Sequence, residues 1–304
     1  MPILSHAHQV QALAKTPSIP RFLLLLACCA SAHMTLAPIP PAVAQSQSPP
    51  RIASINMCTD QLLLDLARPE RIAGLSPFAR DATRSWAAGK AQTLPLLSGG
   101  AEDILMLRPD LVVSSRFMKP ETRELILTNS IRLETFDVPR SIAEVKQQIS
   151  RFGALIGETE KADQRLAQID TALSRLKRAA VSSGLRVLPL SRRGWVAGRQ
   201  SLMADIMAQA GLDNAAVQAG FSEGGFLTLE SIVALKPDVI LISQDDLRAE
   251  DQGQAMLLHP AIAQLFPPER RLIIAESLTI CGGPMIVEAM DRLAKQLTRL
   301  AERP

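Results

Sequence analysis

Cysteine and histidine, which supply many protein metal ligands and catalytic bases, are scarce in this sequence of 304 residues. Three of its four His and two of its four Cys lie in the first 44 residues, and the others are His259, Cys58 and Cys281. A tetrahedral zinc site needs about four nitrogen or sulfur ligands, and a Ser-His-Asp triad needs a positioned base. Beyond residue 44 the sequence therefore predicts no resident metal site and no catalytic residue.

The composition is that of an ordinary folded protein. Hydrophobic residues make up 47% and charged residues 21% of the chain, whereas aromatic residues make up only 3% and Tyr is absent. The formal net charge is +3, but Lys15 and Arg21 lie in the first 44 residues, which contain no Asp or Glu. The rest of the chain is nearly neutral, so we expect no nucleic-acid partner.

The first 44 residues have the character of an export signal. An apolar run follows the basic Arg21, and Ala42-Val43-Ala44 offers a small-x-small cleavage site. The run is too short to cross a bilayer, which takes about 20 residues. We predict a signal peptide over residues 1–44, cleaved near Ala44. Lipid anchoring at Cys28, which ends a lipoprotein-like box, is the less favoured alternative.

A near-repeat links two parts of the chain. Residues 102–113 and 230–241 agree at five of twelve positions, at an offset of 128 residues. In each copy, apolar residues at helical spacing precede a Pro that a helix cannot pass, and a continuous apolar run follows. The pattern predicts a short helix and then a buried strand, over 111–114 and 239–243. Such strands are typical of a parallel sheet covered on both faces.

Further strand and helix patterns surround each copy of the repeat. Strands are predicted over 51–56, 71–75, 185–190 and 271–275, and helices over 59–66, 201–210 and 286–300. We therefore predict an α/β fold of two Rossmann-like lobes with mainly parallel sheets. The lobes are expected over 51–140 and 184–304, after a short linker at 45–50.

Residues 141–183, between the lobes, are predicted to be helical. Ser141 and Glu144 form a capping-box pattern, and Gly153 and Gly157 are expected to weaken or break the helix that follows. A second helix is predicted over about 158–181, roughly 35 Å long at 1.5 Å per residue. It carries one apolar stripe, which we expect to pack on both lobes as a rigid strut. The stripe consists of Ala162, Leu166, Ile169, Leu173 and Leu176.

Taken in order, these features resemble the substrate-binding proteins of ABC importers for ferric siderophores and vitamin B12, the class whose two lobes are joined by a long helix. The matching elements are the opening segment 51–60, both copies of Glu-x-Ile-(x)2-Leu-Lys/Arg-Pro-Asp, the linking helix, and Cys281-Gly-Gly-Pro284 before the last helix. The resemblance implies a periplasmic protein, expected to be a monomer, that holds a ligand between lobes that move only slightly.

The resemblance also implies a partner. In this family a Glu at the start of the repeated helix on each lobe docks onto Arg residues of the membrane permease, and the matching residues here are Glu102 and Glu230. A carboxylate at a helix start is favoured by the helix dipole, and two such charges can set the register on a symmetric partner. The alternative is that each Glu only caps its helix.

Ligand contacts are expected beyond the carboxyl ends of the strands, where loops supply them. Arg side chains there would bind carboxylate or hydroxamate-type oxygens, and aromatic rings would form flat walls. Each could instead belong to the core or to solvated surface. The candidates are Phe78, Arg80, Arg116, Phe117, Arg192, Arg193, Trp195, Arg199, Phe226, Asp245 and Thr279.

The residue inventory narrows the ligand class. Without Tyr, and with His259 alone beyond residue 44, the Tyr/His axial ligation expected of a heme carrier is missing. The few aromatic residues also fit the corrin ring of cobalamin poorly. We therefore prefer a ferric siderophore to cobalamin. No cofactor is expected, since any iron or cobalt would arrive chelated in the ligand.

Cys58 and Cys281 fall where a strand meets a helix, one in each predicted lobe. In an oxidising periplasm two cysteines usually pair, so a disulfide between them is one interpretation. Two buried thiols, or thiols that contact the ligand, are the alternatives.

Two other functional classes remain open from the sequence. One is a periplasmic enzyme on the same scaffold, for which Asp60, Asp245 and Glu223 are the available acids, although the missing His and motifs argue against it. The other is a sensor or adaptor that binds the same ligand without import.

Overall fold

A computed structural model of the chain describes residues 50–243 and 255–302. The predicted signal peptide, Cys28 and Asp245 lie outside the described residues. Within them, the chain forms two α/β lobes with parallel sheets, joined by a long helix, which confirms the predicted fold class. None of the described helices is long and apolar enough to cross a membrane.

The N-terminal lobe is built on a four-stranded parallel sheet. In the order of the sheet, its strands are β2 (Ile72–Gly74), β1 (Ile52–Ser54), β3 (Leu111–Ser115) and β4 (Arg132–Phe136). Its helices are α1 (Met57–Leu66), α2 (Ala101–Leu107) and α3 (Pro120–Thr128). Strands β1 to β3 are almost entirely buried because helices cover both faces of the sheet. The edge strand β4 carries the half-buried Glu134, and the sequence pattern did not reveal it.

The C-terminal lobe repeats this architecture. Its parallel strands, in the order of the sheet, are β10 (Arg271–Ile274), β9 (Val239–Ser243), β5 (Arg186–Pro189) and β7 (Asp213–Asn214). The antiparallel strands β6 (Trp195–Ala197) and β8 (Gly224–Phe226) form a separate ribbon. The helices are α6 (Leu202–Ala210), α7 (Ala215–Gln218), α8 (Leu229–Leu235), α9 (Pro260–Leu265) and α10 (Ile286–Ala301).

The internal repeat has the same hydrogen-bonded frame in both lobes. Helices α2 and α8 each end on a residue in the left-handed region, Arg108 at φ 44° and Lys236 at φ 48°, and a Pro follows each. Asp110 then accepts the backbone N–H of Arg51 at 2.7 Å, and Asp238 accepts that of Arg186 at 2.7 Å. These Asp residues tie the start of β3 or β9 to the neighbouring strand.

Two helices join the lobes, α4 (Ile142–Ile156) and α5 (Thr159–Ser183). The predicted stripe on α5 faces inward: Ala162, Ile169 and Leu176 are fully buried. They belong to one continuous apolar core that includes residues of both sheets, α4 and α10. The core therefore fixes α5 against both lobes at once.

Of the two glycines expected to weaken or break this helix, Gly157 ends it, whereas Gly153 does not break it. Helix α4 runs through Gly153 and ends at Gly157, which adopts φ 70° and caps the helix. A Cβ on Gly153 would lie 2.5 Å from the Cβ of Ala162 on α5. Gly153 is therefore present because α4 and α5 approach each other closely, and its lower helix propensity is the cost of that contact.

A disulfide joins Cys58 at the start of α1 to Cys281 in the loop before α10. The bond ties the N-terminal lobe directly to the C-terminal lobe, 223 residues away in the chain. The lobes are therefore joined covalently twice, by the chain through α4 and α5 and by this disulfide.

Gly153→Ala should destabilise the protein by about 1–3 kcal/mol, because the added methyl group overpacks the contact with α5 and outweighs the gain in helix propensity. Chemical denaturation of the single variants and of Gly153→Ala/Ala162→Gly measures the coupling between the two positions. Relief of part of the loss in the double variant is expected. Additive effects would contradict this account of the glycine.

Candidate functional site

A cavity of about 440 Å³ lies between the lobes, beyond the carboxyl ends of the C-terminal parallel strands. Its walls come from the ends of β5, β9 and β10, from Trp195 on β6, and from the N-terminal turn of α6. The N-terminal side contributes the connection from β4 to α4, through Val138, Pro139 and Arg140. Because both lobes supply lining residues, a ligand in this cavity, called here the cleft cavity, would contact both.

Trp195 forms one wall of the cleft cavity, with 39% of its surface exposed. The Phe226 ring packs edge-on against it, at 5.0 Å between ring centroids. On the same ribbon, Gly224 adopts φ 144°, and a Cβ there would lie 2.6 Å from the indole ring. The Phe226 ring and the backbone of Gly224 thus support the indole of Trp195. This arrangement suits contact with a flat or bulky apolar group.

Charged and polar groups cross the cleft cavity from one lobe to the other. Arg140 Nη1 donates to Gln200 Oε1 at 3.0 Å and lies 3.7 Å from Glu223 Oε2. These side chains are exposed, so the ion pair contributes little stability. It does place one cation and one carboxylate where they can bind polar groups of a ligand.

Close backbone packing forms the base of the cleft cavity. Gly282 follows the disulfide residue Cys281, and a Cβ on Gly282 would lie 2.2 Å from Pro139 Cγ. Glycine is required at this position because the two lobes meet there without room for a side chain. Within the Cys-Gly-Gly-Pro segment, lobe contact thus explains Gly282 and the disulfide explains Cys281.

The sequence of the chain matches a known protein family. Residues 52–267 match the model of the periplasmic binding protein family. The chain belongs to this family. No curated protein matches the sequence.

Several solved structures have the fold of this periplasmic binding protein. The periplasmic heme-binding protein RhuT from Roseiflexus sp. RS-1 is 24% identical, with a TM-score of 0.68, covering 84% of this chain and 100% of that chain. The periplasmic heme-binding protein HutB of Vibrio cholerae is 18% identical, with a TM-score of 0.68, covering 82% and 98%. A periplasmic heme-binding protein from Pseudomonas aeruginosa is 20% identical, with a TM-score of 0.64, covering 83% and 94%.

Of the predicted ligand contacts of the periplasmic binding protein, the structure brings Trp195 and Thr279 to the cleft cavity. Phe226 supports Trp195 from the side and is itself exposed. Arg192 is half-buried and Arg193 exposed, in the turn that leads into β6, and neither lines the cavity. Asp245 lies outside the described residues.

The other predicted contacts lie elsewhere. Arg80 donates to the backbone carbonyls of Ala91 and Leu94, so it holds the loop 81–94 in place. Arg116 pairs with Asp137 at 3.1 Å, and its guanidinium lies over the ring of Phe117.

Two further predicted contacts also lie away from the cleft cavity. Arg199 lines a separate surface depression beside α6. The half-exposed Phe78 does not line the cleft cavity. Phe78, Arg80, Arg116 and Arg199 were predicted from their place after strands, and side-chain direction in those loops is not encoded in that pattern.

The sequence interpretation missed several residues of the cleft cavity. Arg140, Gln200, Met203 and Ser191 all line it. Ser191 directly follows a predicted strand and could have been found by the same argument that found Trp195. Gln200 directly precedes the predicted helix over 201–210, which also marks it as a loop residue. Arg140 could not be found in this way, because its position depends on the contact between Pro139 and Gly282.

The two predicted docking residues of the periplasmic binding protein are exposed and occupy equivalent positions, the second residue of α2 and of α8. Glu102 folds back towards the backbone of Gly100. Hydrogen bonds from its own backbone N–H and from the Thr228 hydroxyl hold the pKa of Glu230 below its ordinary value, so this carboxyl is ionised at neutral pH. Each lobe thus presents a carboxylate at a matching place.

Asp60 is buried on α1 in the N-terminal lobe, away from the cleft cavity. Its carboxylate accepts the backbone N–H of Ser76 at 3.1 Å and the Ser76 hydroxyl at 2.5 Å. Burial raises its pKa to about 6, although hydrogen bonds from Ser54 and Ser76 oppose the shift. Asp60 therefore fastens α1 to the loop after β2. Of the other two acids considered for an enzyme, Glu223 lines the cleft cavity and Asp245 lies outside the described residues.

The raised pKa of Asp60 predicts a pH-dependent stability. The folded protein binds this proton more tightly than the unfolded chain, so the free energy of unfolding should fall by about 2–3 kcal/mol as the pH rises from about 4 to about 6. Urea denaturation across this range should show that fall, relative to Asp60→Asn, in the parent and in the exposed control Asp163→Asn. In Asp60→Asn the fall should be largely absent. An unchanged fall in Asp60→Asn would contradict the assignment.

Proposed function

We propose that this protein captures a metal chelate in the cleft cavity and delivers it to the permease of an ABC importer with its ATPase. The observation that carries the proposal is the cleft cavity itself, lined from both lobes and walled by Trp195. Family membership supports a role in binding and transport rather than catalysis. Among the described residues, no group of three or more His, Cys, Asp and Glu side chains could hold a metal. The metal would therefore enter already chelated.

A ferric siderophore is the preferred cargo. The solved relatives are named as heme-binding proteins, which makes heme the second candidate cargo. Cobalamin, the alternative predicted from the sequence, remains a further candidate. The chain has no Tyr, and His259 caps α9 by accepting the backbone N–H of Ala261 at 3.2 Å, away from the cleft cavity. A siderophore brings all its metal ligands, whereas heme requires axial ligands from the protein. Arg140 and Gln200 would bind the oxygens of the siderophore.

The proposed route to the periplasm is the signal peptide over residues 1–44, cleaved near Ala44, with lipid anchoring at Cys28 as the less favoured alternative. The family is periplasmic by description, and the Cys58–Cys281 disulfide suits an oxidising compartment. We expect the mature protein to be a monomer until it meets the permease.

Tryptophan fluorescence should identify the cargo. Trp195 lies in the cleft cavity, whereas Trp86 donates to Glu288 at 2.8 Å between the N-terminal lobe and α10. We expect one ferric siderophore, in a panel that also contains cobalamin and heme, to quench the fluorescence saturably. Trp86→Phe should keep this quenching, whereas Trp195→Ala should weaken affinity about tenfold because the indole wall is lost.

If heme alone quenches, the siderophore assignment is wrong and the cleft binds heme without Tyr or His ligands. If no chelate quenches, or if Trp195→Ala binds the chelate as tightly as the parent does, the cleft cavity is not the binding site. Conversion of the chelate by the isolated protein would instead favour the enzyme class.

Permease docking by Glu102 and Glu230 is tested separately from ligand binding. The double variant Glu102→Gln/Glu230→Gln should lower chelate uptake by vesicles containing the importer at least tenfold, because both ionic contacts are lost. Its affinity for the chelate should be unchanged. Glu124→Gln/Glu269→Gln, which also neutralises one exposed carboxylate in each lobe, is the matched control. Normal uptake by the Glu102/Glu230 variant would indicate that these residues only cap their helices.

A further inference from the structure

A groove of about 770 Å³ lies on the surface between helices α5 and α10 and shares no lining residue with the cleft cavity. We call it the helix groove. The buried residues Ala179 and Ala294 leave room between the two helices. Four of the lining residues are cations and one is an acid, namely Arg175, Arg178, Lys295, Arg299 and Asp291.

The positive charge of the helix groove is largely uncompensated. Arg175 donates to both carboxylate oxygens of Asp291, at 2.8 Å each, so this pair is neutral. Arg178, Lys295 and Arg299 are exposed, and none of them forms an ion pair with any residue of 50–243 and 255–302. Three exposed cations thus face one groove, which creates a local positive potential.

The helix dipole explains only one of these three cations. Cations are stabilised by the dipole within the last turn of a helix. Arg299 lies in the last turn of α10, whereas the last turn of α5 contains no basic residue. Arg178 and Lys295 lie more than one turn before the ends of their helices, at Ser183 and Ala301. Helix formation therefore does not account for their convergence on the groove.

The helix groove and the cleft cavity lie at opposite ends of the C-terminal lobe. Helix α5 ends at Ser183 and leads into the amino end of β5, whereas the cleft cavity lies beyond the carboxyl end of that strand. Helix α10 starts after the carboxyl end of β10 and runs back towards the amino ends of the strands. Glu230 opens α8, which leads into the amino end of β9, so this carboxylate points towards the cleft end. A molecule in the helix groove thus leaves both the cleft and Glu230 free.

The spacing of the cations suits an extended acidic chain. Lys295 and Arg299 are four residues apart on α10, which is about 6 Å along the helix axis. Alternate side chains of an extended chain point to the same side and are about 6.6 Å apart. Because Arg175 pairs with Asp291, Arg178 on the next turn of α5 faces the stretch of the groove that Lys295 borders. One carboxylate can therefore lie between Arg178 and Lys295, and a second can reach Arg299.

The lining of the helix groove favours a protein partner over a lipid surface. Helices that bind membranes combine basic residues with aromatic or large aliphatic residues that enter the bilayer. None of the residues that line the groove is aromatic or a large aliphatic residue. A concave site with an alanine floor also admits a single chain more readily than a flat layer of head groups.

We propose that the helix groove binds an extended acidic segment of a second protein. The guanidinium groups of Arg178 and Arg299 bind Asp or Glu carboxylates, and Lys295 adds a third positive charge. The contact holds the partner at the end of the C-terminal lobe remote from the cleft, so it is compatible with a filled cleft and with docking through Glu230. The inference goes beyond the proposed function and does not depend on the cargo of the cleft.

Fluorescence anisotropy with a dye-labelled peptide, Gly-Glu-Ala-Glu-Ala-Glu-Gly, tests the proposal on the mature protein without any chelate. Saturable binding that weakens as sodium chloride is added is expected, because the contacts are exposed ion pairs. Arg178→Gln/Arg299→Gln should weaken binding at least tenfold, and Lys295→Gln several-fold. The matched control Arg123→Gln/Lys177→Gln also removes two exposed cations, neither of which lines the groove, and should bind like the parent. Unfolding midpoints verify that all variants are folded.

Three results would overturn the proposal. The first is a parent protein that does not bind the acidic peptide, or that binds a Lys-Ala-Lys-Ala-Lys peptide equally well. The second is an equal loss of affinity in the control variant, since binding would then follow net charge alone. The third is tighter binding to phosphatidylglycerol vesicles than to the peptide, lost in the Arg178/Arg299 variant, which would make the occupant a lipid surface. Quenching of Trp195 by a chelate should be the same in the groove variants and in the parent, so failure of the cargo assignment is scored separately.

Discussion

The continuous apolar core around α5 is the constraint on which the rest of the structure depends. One buried stripe, with Ala162, Ile169 and Leu176 at its centre, packs with residues of both sheets and of α10. The lobes therefore cannot separate without exposing part of this core to water, which costs roughly 25 cal/mol for each Å² of apolar surface. A single stiff helix also resists bending more than two extended crossing strands would. The cleft between the lobes is thus largely formed before any ligand arrives.

A preformed cleft explains several local features. Gly153 allows α4 to lie against α5, and Gly282 allows the segment after the disulfide to reach Pro139. Both glycines are found where backbones from different parts of the chain meet, so they set the distance between elements. The internal repeat then places a carboxylate at the same position of each lobe. With the lobes held by α5, the spacing of these carboxylates is fixed, as a docking surface on a rigid partner requires.

The fold could be predicted from the sequence because its signals are local and repeated. Pro109 and Pro237 end helices, and the apolar runs that follow them become β3 and β9. The edge strand β4 escaped prediction because Arg132 and Glu134 interrupt its apolar residues. The close contact at Gly153 could not be predicted because its partner Ala162 belongs to another helix. In the cleft, Trp195 and Thr279 could be predicted from the sequence. The sequence could not distinguish Arg80 and Arg116 from arginines that only hold loops in place. Their carbonyl and carboxylate partners are set by loop geometry that a single sequence does not encode.

The most direct test of this account is the distance between the lobes in solution. Spin labels at Met106→Cys on α2 and Val233→Cys on α8, which are 83% and 43% exposed, report that distance by pulsed electron resonance. The account predicts one narrow distance distribution for the free protein, shifted by no more than a few ångströms when a gallium siderophore, the diamagnetic analogue of the ferric chelate, is added. A broad or two-peaked distribution without ligand, or a large closure with it, would contradict a cleft held by α5.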